Sequence, residues 1–314
     1  MEIFGLIGSA IMTPLYYAVS AILLAWHWVF EQVPGLSNGW TWALSIIGLT
    51  VTIRALLIPL FVKQIKSSRN MQLLQPQMKE LQKKYGHDRE RLTQEQMKLW
   101  KETGTNPFAS CLPLLAQMPI FFALFRTIDQ AAKNGGAGAK GFLSEADAES
   151  LKAAMWLGGK ISDTFMGAEH TETRIVAAVL VLAMCATQFL TQRQLMAKNM
   201  PADALNGPYA QQQKMLLYIL PPVFAISGVI FPVGVLIYWT TTNLWTMGQQ
   251  FYVIRNNPAP GTPAFKAKQQ RDLAKGKGSA QDVIDASSAS EAAPKPRTQP
   301  KKTSRSERKK GGGR

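Results

Sequence analysis

The stretch WALSIIGLTVTIRALLIPLFV occupies Trp42–Val62 and decides the class of this chain. It is long enough to cross the hydrocarbon core of a bilayer, which takes about 20 apolar residues. Arg54 lies near its middle, where a charge costs at least about 3 kcal/mol. None of the other candidate spans contains an Asp or Glu that would pair with this arginine. The sequence therefore predicts that Arg54 lines a water-filled cavity inside the membrane.

Five segments have the length and composition of membrane spans. They are Trp42–Val62, Pro107–Ile128, Ile175–Gln192, Lys214–Ile230 and Val233–Phe251. The predicted fold is an all-α membrane protein, in which five transmembrane helices enclose a hydrophilic groove.

Charged residues are distributed unevenly between the connecting segments. Residues 63–101 carry ten Lys and Arg, and residues 255–314 carry fifteen against five acids. The outer loop 129–173 instead carries four Lys against seven acids. Because cytoplasmic loops of membrane proteins are enriched in Lys and Arg, the first two segments are expected inside and the loop outside. This pattern predicts a multi-pass protein with a cytoplasmic C-terminus.

Residues 1–38 precede the spans and include an apolar stretch at about 3–30. Polar residues recur on one side of it at helical spacing, at Thr13, Tyr17, Ser20, His27 and Glu31. An amphipathic helix rich in Trp and Tyr suits the membrane interface better than the bilayer centre. We predict an extracytoplasmic interfacial helix, with a membrane-spanning helix as the alternative.

The core domain, residues 39–255, contains a predicted cytosolic helical hairpin at 63–104. Apolar residues recur every three or four positions on its charged first arm, at Met71, Leu74, Met78, Leu81 and Tyr85. A turn signal after Tyr85 precedes the second arm. The stripe either joins the two arms or, being rich in Met, forms a surface for apolar segments of partners.

The segment 256–314 is basic and poor in hydrophobic residues, which predicts a disordered cytosolic tail. Its Lys and Arg clusters suit polyanions, so ribosomal RNA and anionic lipid headgroups are both candidate partners.

The chain lacks the sequence motifs of common catalytic sites. It has no phosphate-binding loop, no H-E-x-x-H, no G-x-S-x-G and no Cys/His set with metal-ligand spacing. We therefore expect no enzymatic activity, no cofactor, no metal and no small-molecule substrate.

Uncharged polar residues accompany Arg54 in the predicted spans. Thr50 lies one turn before it on the same helix face. Others come from later spans, at Gln117, Thr187, Gln188, Thr191, Thr240, Thr241, Thr242 and Asn243. Each alone suits hydrogen bonding between helices, but together with an unpaired arginine they indicate one hydrated groove. A cationic groove of this kind would attract acidic or polar peptide and lower its cost of entering the membrane.

Several stretches of the chain resemble the YidC family of membrane-protein insertases. They are Arg54–Leu60, Met71–Pro76, Asn106–Leu124 with the pattern N-P-(x)3-C-x-P-(x)3-Q-x-P, and Phe231–Asn243. The resemblance covers about residues 40–255, and the N-terminal region is similar to actinobacterial members. It implies a five-span core, a cytosolic hairpin and a groove open to the cytosol and to lipid.

The resemblance also implies roles for particular residues. The groove arginine of the family matches Arg54, and its neighbouring threonine matches Thr50. The aromatic position of the groove wall falls on Tyr238 or Trp239. The hairpin is implied to receive substrates or partners, and the basic tail is implied to contact the ribosome in some members.

The function expected from this resemblance is a membrane protein insertase of the bacterial plasma membrane. It would move hydrophilic segments of nascent membrane proteins across the bilayer and release their transmembrane helices into lipid. It would work alone or with the Sec translocon, and would also assist folding and assembly.

Two other functions remain open from the residues themselves. A solute transporter or anion channel would use Arg54 as its binding charge. An assembly chaperone would use the hairpin as a docking surface, with the groove incidental. The first predicts saturable flux of small anions, and the second predicts dependence on residues 63–103 but not on Arg54.

Overall fold

The structure is a computed structural model that describes residues 2–104, 112–199, 208–259 and 261–276. The helices are α1 (Glu2–Glu31), α2 (Asn38–Leu56), α3 (Ile58–Leu73), α4 (Gln75–Tyr85), α5 (Arg89–Thr103), α6 (Leu112–Asn134), α7 (Glu145–Ala153), α8 (Thr171–Asn199), α9 (Pro208–Ile230), α10 (Val233–Asn256) and α11 (Pro263–Ala274). Within the described ranges, one short antiparallel hairpin of β1 (Met155–Trp156) and β2 (Gly159–Lys160) is the only sheet. The predicted helical class is therefore confirmed.

The chain divides into two units, residues 1–265 and residues 266–314. The first unit contains α1 to α10, and α11 begins within it. The second contains the rest of α11, and its residues 277–314 lie outside the described ranges.

Three described segments are long and apolar enough to cross a membrane, by length and composition alone. They are Met12–Glu31 in α1, Asn38–Leu56 and Thr171–Asn199. The five-span arrangement therefore stays a prediction for α6, α9 and α10. The segment in α1 fits a span as well as the predicted interfacial helix, so its placement also stays a prediction.

The first predicted span, Trp42–Val62, is wrong in its boundaries. The helix α2 ends at Leu56, and Ile58–Val62 belong to α3. Pro59 explains the break, because a proline inside a continuous helix removes a hydrogen bond and clashes with the preceding turn. In the first turn of α3 its missing N–H costs nothing.

The later helices extend beyond the predicted apolar spans. The helix α6 continues to Asn134 into the predicted outer loop, while its predicted start at Pro107 lies outside the described residues. The helices α8 and α10 likewise end in polar residues, at Asn199 and Asn256. Backbone hydrogen bonding continues into the polar residues that follow each apolar segment. The length of the apolar segment therefore underestimates the length of the helix.

The predicted hairpin is present, but its first arm is two helices instead of one. The arm bends at Leu74, and Pro76 then occupies the first turn of α4. The predicted turn separates α4 from α5, where the Asp88 carboxylate accepts a hydrogen bond from the Arg91 N–H at 3.0 Å. This contact caps the N-terminus of α5.

A helix, α11, also occupies Pro263–Ala274, where disorder was predicted. The Thr262 hydroxyl accepts a hydrogen bond from the Phe265 N–H at 3.3 Å, which caps its N-terminus. This local cap was not recognised within a segment of low hydrophobicity.

The loop between α6 and α8 folds onto the starts of α2 and α10. The Trp42 Nε1–H donates to the Ser150 hydroxyl at 3.1 Å, which joins α2 to α7. The first N–H groups of α10, on Val233 and Gly234, donate to the carbonyls of Asp163 and Ile161 at 2.9 and 2.8 Å. These bonds satisfy backbone donors that a helix start leaves unpaired. The loop is thus a structured cap over the helix ends.

The helix α1 packs along α2 and α6 and touches the loop near Phe142. Ser20 Oγ accepts a hydrogen bond from the Phe142 N–H at 2.8 Å. Two turns later, the His27 ring lies 4.0 Å from the Trp42 ring. The Trp26 Nε1–H also donates to the Thr52 hydroxyl of α2 at 2.9 Å, well beyond the start of that helix. The contacts of α1 thus do not distinguish a span from an interfacial helix, and its placement stays a prediction.

Gly39→Ala is expected to destabilise the fold, because a Cβ there would overlap the backbone carbonyl of Met155 in β1. Overpacking of this kind costs about 1–3 kcal/mol, so the melting temperature in detergent should fall. Gly248→Ala is the matched control, since its Cβ meets open space. The control should be neutral or slightly stabilising, by up to about 1 kcal/mol. Equal melting temperatures for the two variants would contradict this packing.

Candidate functional site

Arg54 lies in the last turn of α2, and the residue is only 7% exposed. Its guanidinium carbon is 5.3 Å from the centre of the Phe61 ring, which is a cation–π contact. Among the described residues, no carboxylate forms an ion pair with it. Its Nε–H has no hydrogen-bond partner in the described part of the chain. The guanidinium is therefore buried but incompletely satisfied, which costs free energy unless water or a ligand binds it.

Tyr238 connects α10 and α6 to this arginine. The residue is 2% exposed, and its hydroxyl accepts a hydrogen bond from the Nε2 of Gln117 on α6. The same hydroxyl is close enough to the Arg54 guanidinium to interact with it electrostatically. The structure thus brings together Arg54, Gln117 and Tyr238, which the sequence predicted as groove residues.

Two buried polar atoms around Tyr238, Arg54 Nε and Gln117 Oε1, have no hydrogen-bond partner among the described residues. The Thr242 hydroxyl is a third polar group, and it interacts with the Tyr238 hydroxyl. Thr242 lies one turn after Tyr238 on the same face of α10. The arginine offers a donor, the amide oxygen an acceptor, and the hydroxyl either. This set matches water or a peptide group, because both present donors and acceptors.

Thr50 is fully buried next to this set, one turn before Arg54 on α2. Its hydroxyl donates to the Ile46 carbonyl at 2.7 Å. The hydroxyl proton of Thr50 is therefore bound within α2, and only the lone pairs of its oxygen are available to another partner.

The structure places Asn243 at the contact between α8 and α10. The Asn243 Nδ2 donates to the Met184 carbonyl of α8 at 3.4 Å, and Gln188 lies one turn after Met184. In the described part of the chain, neither residue is hydrogen-bonded to Arg54, Gln117 or Tyr238. Their predicted part in the groove stays a prediction.

Trp239 points into an aromatic cluster instead of toward Gln117. Its ring centre lies 5.2 Å from Phe121 on α6, 5.2 Å from Phe224 on α9 and 5.5 Å from Phe231. Of the two aromatic positions that the resemblance left open, Tyr238 is therefore the one that contacts Gln117. Trp239 joins α6, α9 and α10.

The apolar stripe of the hairpin is partly used within the hairpin itself. Leu74 is buried, Met78, Leu81 and Tyr85 are half-buried, and the side chain of Met71 lies outside the described part. The Arg91 guanidinium of α5 lies 5.3 Å from the centre of the Tyr85 ring. This contact joins the last residue of the stripe to the second arm, and the use of the stripe as a whole stays a prediction.

The sequence did not single out two members of the site. Phe61 was counted only as an apolar residue of the first span, because its contact with Arg54 depends on the break before α3. Thr242 was one of several polar residues in the last span, and only its interaction with the Tyr238 hydroxyl distinguishes it from them.

Comparison with known proteins identifies the family. The family described as 60Kd inner membrane protein matches residues 33–260. The chain belongs to the YidC family. A Membrane protein insertase YidC from Streptomyces avermitilis is 49% identical over 261 residues, covering 81% of this chain and 60% of the relative. Proteins of that name from Mycolicibacterium paratuberculosis and Tropheryma whipplei are 34% and 36% identical, covering 86% and 83% of this chain and 86% and 89% of theirs.

The resemblance read from the sequence motifs is confirmed, including its actinobacterial relatives. The chain spans 60% of the length of the Streptomyces YidC protein. The family match contains α2 to α10 and therefore all of the site residues above. Family membership and the apolar helices together indicate a bacterial membrane protein.

The hydrogen bond between Gln117 and Tyr238 can be measured by a double-mutant cycle with Gln117→Leu and Tyr238→Phe. We expect a coupling energy of about 0.6 kcal/mol, and at most about 1.7 kcal/mol, as is usual for side-chain hydrogen bonds in membrane proteins. The free energies of unfolding of the wild type, the two single variants and the double variant are measured by SDS titration in mixed micelles. In a second cycle, Trp239→Phe replaces Tyr238→Phe and should show no coupling to Gln117→Leu. Equal coupling in the two cycles would contradict the contact.

Proposed function

We propose that this protein is a membrane protein insertase, and that Arg54 and the polar atoms around Tyr238 form its hydrated groove. One observation carries the proposal: the buried Arg54 Nε–H and Gln117 Oε1, on two different helices, have no hydrogen-bond partner among the described residues. Family membership supports it, because its relatives bear the name Membrane protein insertase YidC.

The groove would act by replacing water around a polar client segment. Polar groups moved into hydrocarbon without hydrogen bonds cost several kcal/mol each. The unpaired Arg54 Nε–H and Gln117 Oε1, together with the Thr242 hydroxyl beside Tyr238, would bind carbonyls and N–H groups of that segment. The guanidinium charge would favour segments that carry Asp or Glu. Binding need only be transient, because the segment leaves on the outer side.

The driving force would come from the client's own apolar span. Each Leu, Ile, Phe or Val at the centre of a span contributes about −0.3 to −0.6 kcal/mol, whereas a charged residue costs about 2.5–3.5 kcal/mol. A span of about 20 residues can therefore offset the transfer of a few polar residues. The sequence has no phosphate-binding loop, and the mechanism needs none.

Exposed apolar faces support the placement of α8 and α9 in lipid. On α8, Ile175, Val179 and Leu182 are 58–69% exposed. On α9, Ile226 and Ile230 are 66% and 62% exposed. Such contiguous apolar surface is unusual for a protein in water, so these helices are proposed to complete the membrane domain with α2, α6 and α10.

The other partners follow from charge and exposure. We assign the hairpin, whose Met97 is 60% exposed, to docking of clients or partner proteins. The basic hairpin and tail would face the cytoplasm and contact anionic lipids and the ribosome. Cooperation with the Sec translocon and assistance in folding belong to the same proposal.

Arg54→Ala is expected to reduce insertion of a single-span client with an acidic outer tail by about tenfold, which requires an interaction of only about 1.4 kcal/mol. The assay is protease protection of the tail in liposomes that contain the purified protein. Arg54→Lys should retain part of the activity because it keeps the charge. Arg126→Ala is the matched control, since Arg126 is exposed on α6.

A client with a neutral tail separates charge attraction from hydration. Its insertion should change little in Arg54→Ala, because the groove remains polar. An equal loss of insertion for both clients would exclude attraction by the Arg54 charge from the mechanism. No protection above empty vesicles would reject an autonomous insertase. Saturable flux of small anions would favour a transporter, and dependence on residues 63–103 but not on Arg54 would favour a chaperone.

A further inference from the structure

The hairpin of β1 and β2 turns through a leucine in a strained backbone conformation. Leu157 and Gly158 connect the two strands, and their φ angles are both positive, at 51° and 80°. A two-residue turn of this kind favours Asn, Asp or Gly, because the left-handed region crowds the Cβ of other residues. In the described ranges, Leu157 is the only non-glycine residue with a positive φ. Strain of this kind is concentrated at functional positions, so the surroundings of this leucine are informative.

The Leu157 side chain contributes little to the packing of the hairpin. The residue is 58% exposed, and Met155, two residues earlier, is 45% exposed. Trp156, between them, instead packs edge-on against Trp40 of α2, with ring centres 5.6 Å apart. The hairpin thus holds to the protein by its tryptophan and leaves two flexible apolar side chains exposed.

The strained turn lies beside the first turn of α8. A Cβ on Gly158 would be 3.3 Å from the Glu172 side chain, and one on Gly159 would be 3.2 Å from Val176. The exposed apolar face of α8, which is proposed to lie in lipid, begins at Ile175, three residues after Glu172. Three residues of helix span about 4.5 Å. The turn is therefore level with the boundary of headgroups and hydrocarbon, where interfacial segments bury apolar side chains about 5–10 Å deep.

A second apolar tip of the same loop lies close to the same helix ends. Met166 is 74% exposed, which is the highest value for a large hydrophobic residue in the described part of the chain. The Arg174 Nη2–H donates to the Ala168 carbonyl at 3.0 Å, which ties this turn to the start of α8. Thr164 pairs with Pro232, between α9 and α10. Both tips thus adjoin helices whose exposed apolar faces are proposed to contact lipid.

The charge of this loop excludes attraction to anionic headgroups as the reason for such a contact. Residues 129–173 carry four Lys against seven acids, and anionic lipids attract basic segments. Membrane contact would therefore depend on the apolar side chains. Because the tips continue the apolar faces of α8 and α9, lipid is the occupant that fits both of them.

We propose that the hairpin tip at Leu157 and the turn at Met166 insert into the bilayer leaflet on the loop side, and thereby fix the loop at the membrane surface. This inference rests on the proposed placement of α8 and α9 in lipid, and adds a lipid contact of the loop itself. Insertion gives the leucine an apolar environment, which a relaxed Asn at the same position would not use.

Nitroxide labels on single cysteines measure the depth of both tips. The full chain, with Cys111 and Cys185 replaced by alanine, is reconstituted in phosphatidylcholine vesicles without a client protein. Collisions with oxygen and with a water-soluble nickel complex, present on both sides of the membrane, are measured at labelled Leu157→Cys, Met166→Cys, Leu182→Cys and Ala146→Cys. Leu182 is exposed on α8, and Ala146 is exposed on α7 between two acids. We expect the oxygen-to-nickel ratio at both tips to be severalfold above that at Ala146 and below that at Leu182.

The Leu182 label separates this inference from the proposed membrane placement. A ratio at either tip equal to that at Ala146, with Leu182 in lipid, would overturn the inference and leave the placement of α8 intact. A ratio at Leu182 equal to that at Ala146 would reject both. Because the label at Leu157 alters a strained turn, Met155→Cys repeats the measurement on the hairpin with its turn unchanged, and its ratio should also exceed that at Ala146.

Two further measurements distinguish apolar insertion from other contacts of the loop. The ratios at the tips should stay the same in high salt and when phosphatidylglycerol replaces part of the phosphatidylcholine, since salt screens only electrostatic attraction. A fall of the ratios in high salt would indicate electrostatic adsorption and overturn the proposal. Low collision rates with both reagents would also overturn it, and would assign the tips to contact with a protein, either a partner or a second copy.

Discussion

A guanidinium group buried among apolar helices must be solvated by something, and this requirement governs the interior of the protein. Arg54 has no carboxylate partner among the described residues, and Phe61 covers only one face of its charge. The polar group identified beside it, the Tyr238 hydroxyl, is neutral. Neutral neighbours cannot cancel the charge, so the arginine keeps its attraction for an incoming anionic or polar group. A salt bridge at the same place would have stabilised the charge and removed that attraction.

The two ends of the membrane domain are built differently. At one end, the loop between α6 and α8 caps the helix starts with hydrogen bonds and buries Leu143, Leu151 and Ile161. At the other end of α10, an apolar cavity and an exposed rim remain open. Close packing resists deformation, whereas a loosely filled region yields to other molecules. A closed end and an open end suit a protein that is proposed to accept segments from one side only.

Much of this organisation was predictable from residue patterns. The helical class, the hairpin with its turn after Tyr85, and the choice of Arg54, Thr50 and Gln117 all followed from hydropathy, spacing and motif resemblance. The errors have common causes. Pro59 and Pro76 divide apolar or amphipathic runs that periodicity alone reads as continuous. The short strands β1 and β2 were missed because two-residue strands have no periodicity of their own.

The sequence by itself determined the membrane class, the buried arginine and the family, because these depend on composition and on motifs that are local in the chain. Only the tertiary structure decided that Tyr238 meets Gln117 while Trp239 enters the aromatic cluster of α6, α9 and α10. It also decided that Asn243 binds α8, and that a cavity opens between α3 and α10. The physical reason is that adjacent residues on a helix point about 100° apart, so helix packing selects the neighbours of each side chain.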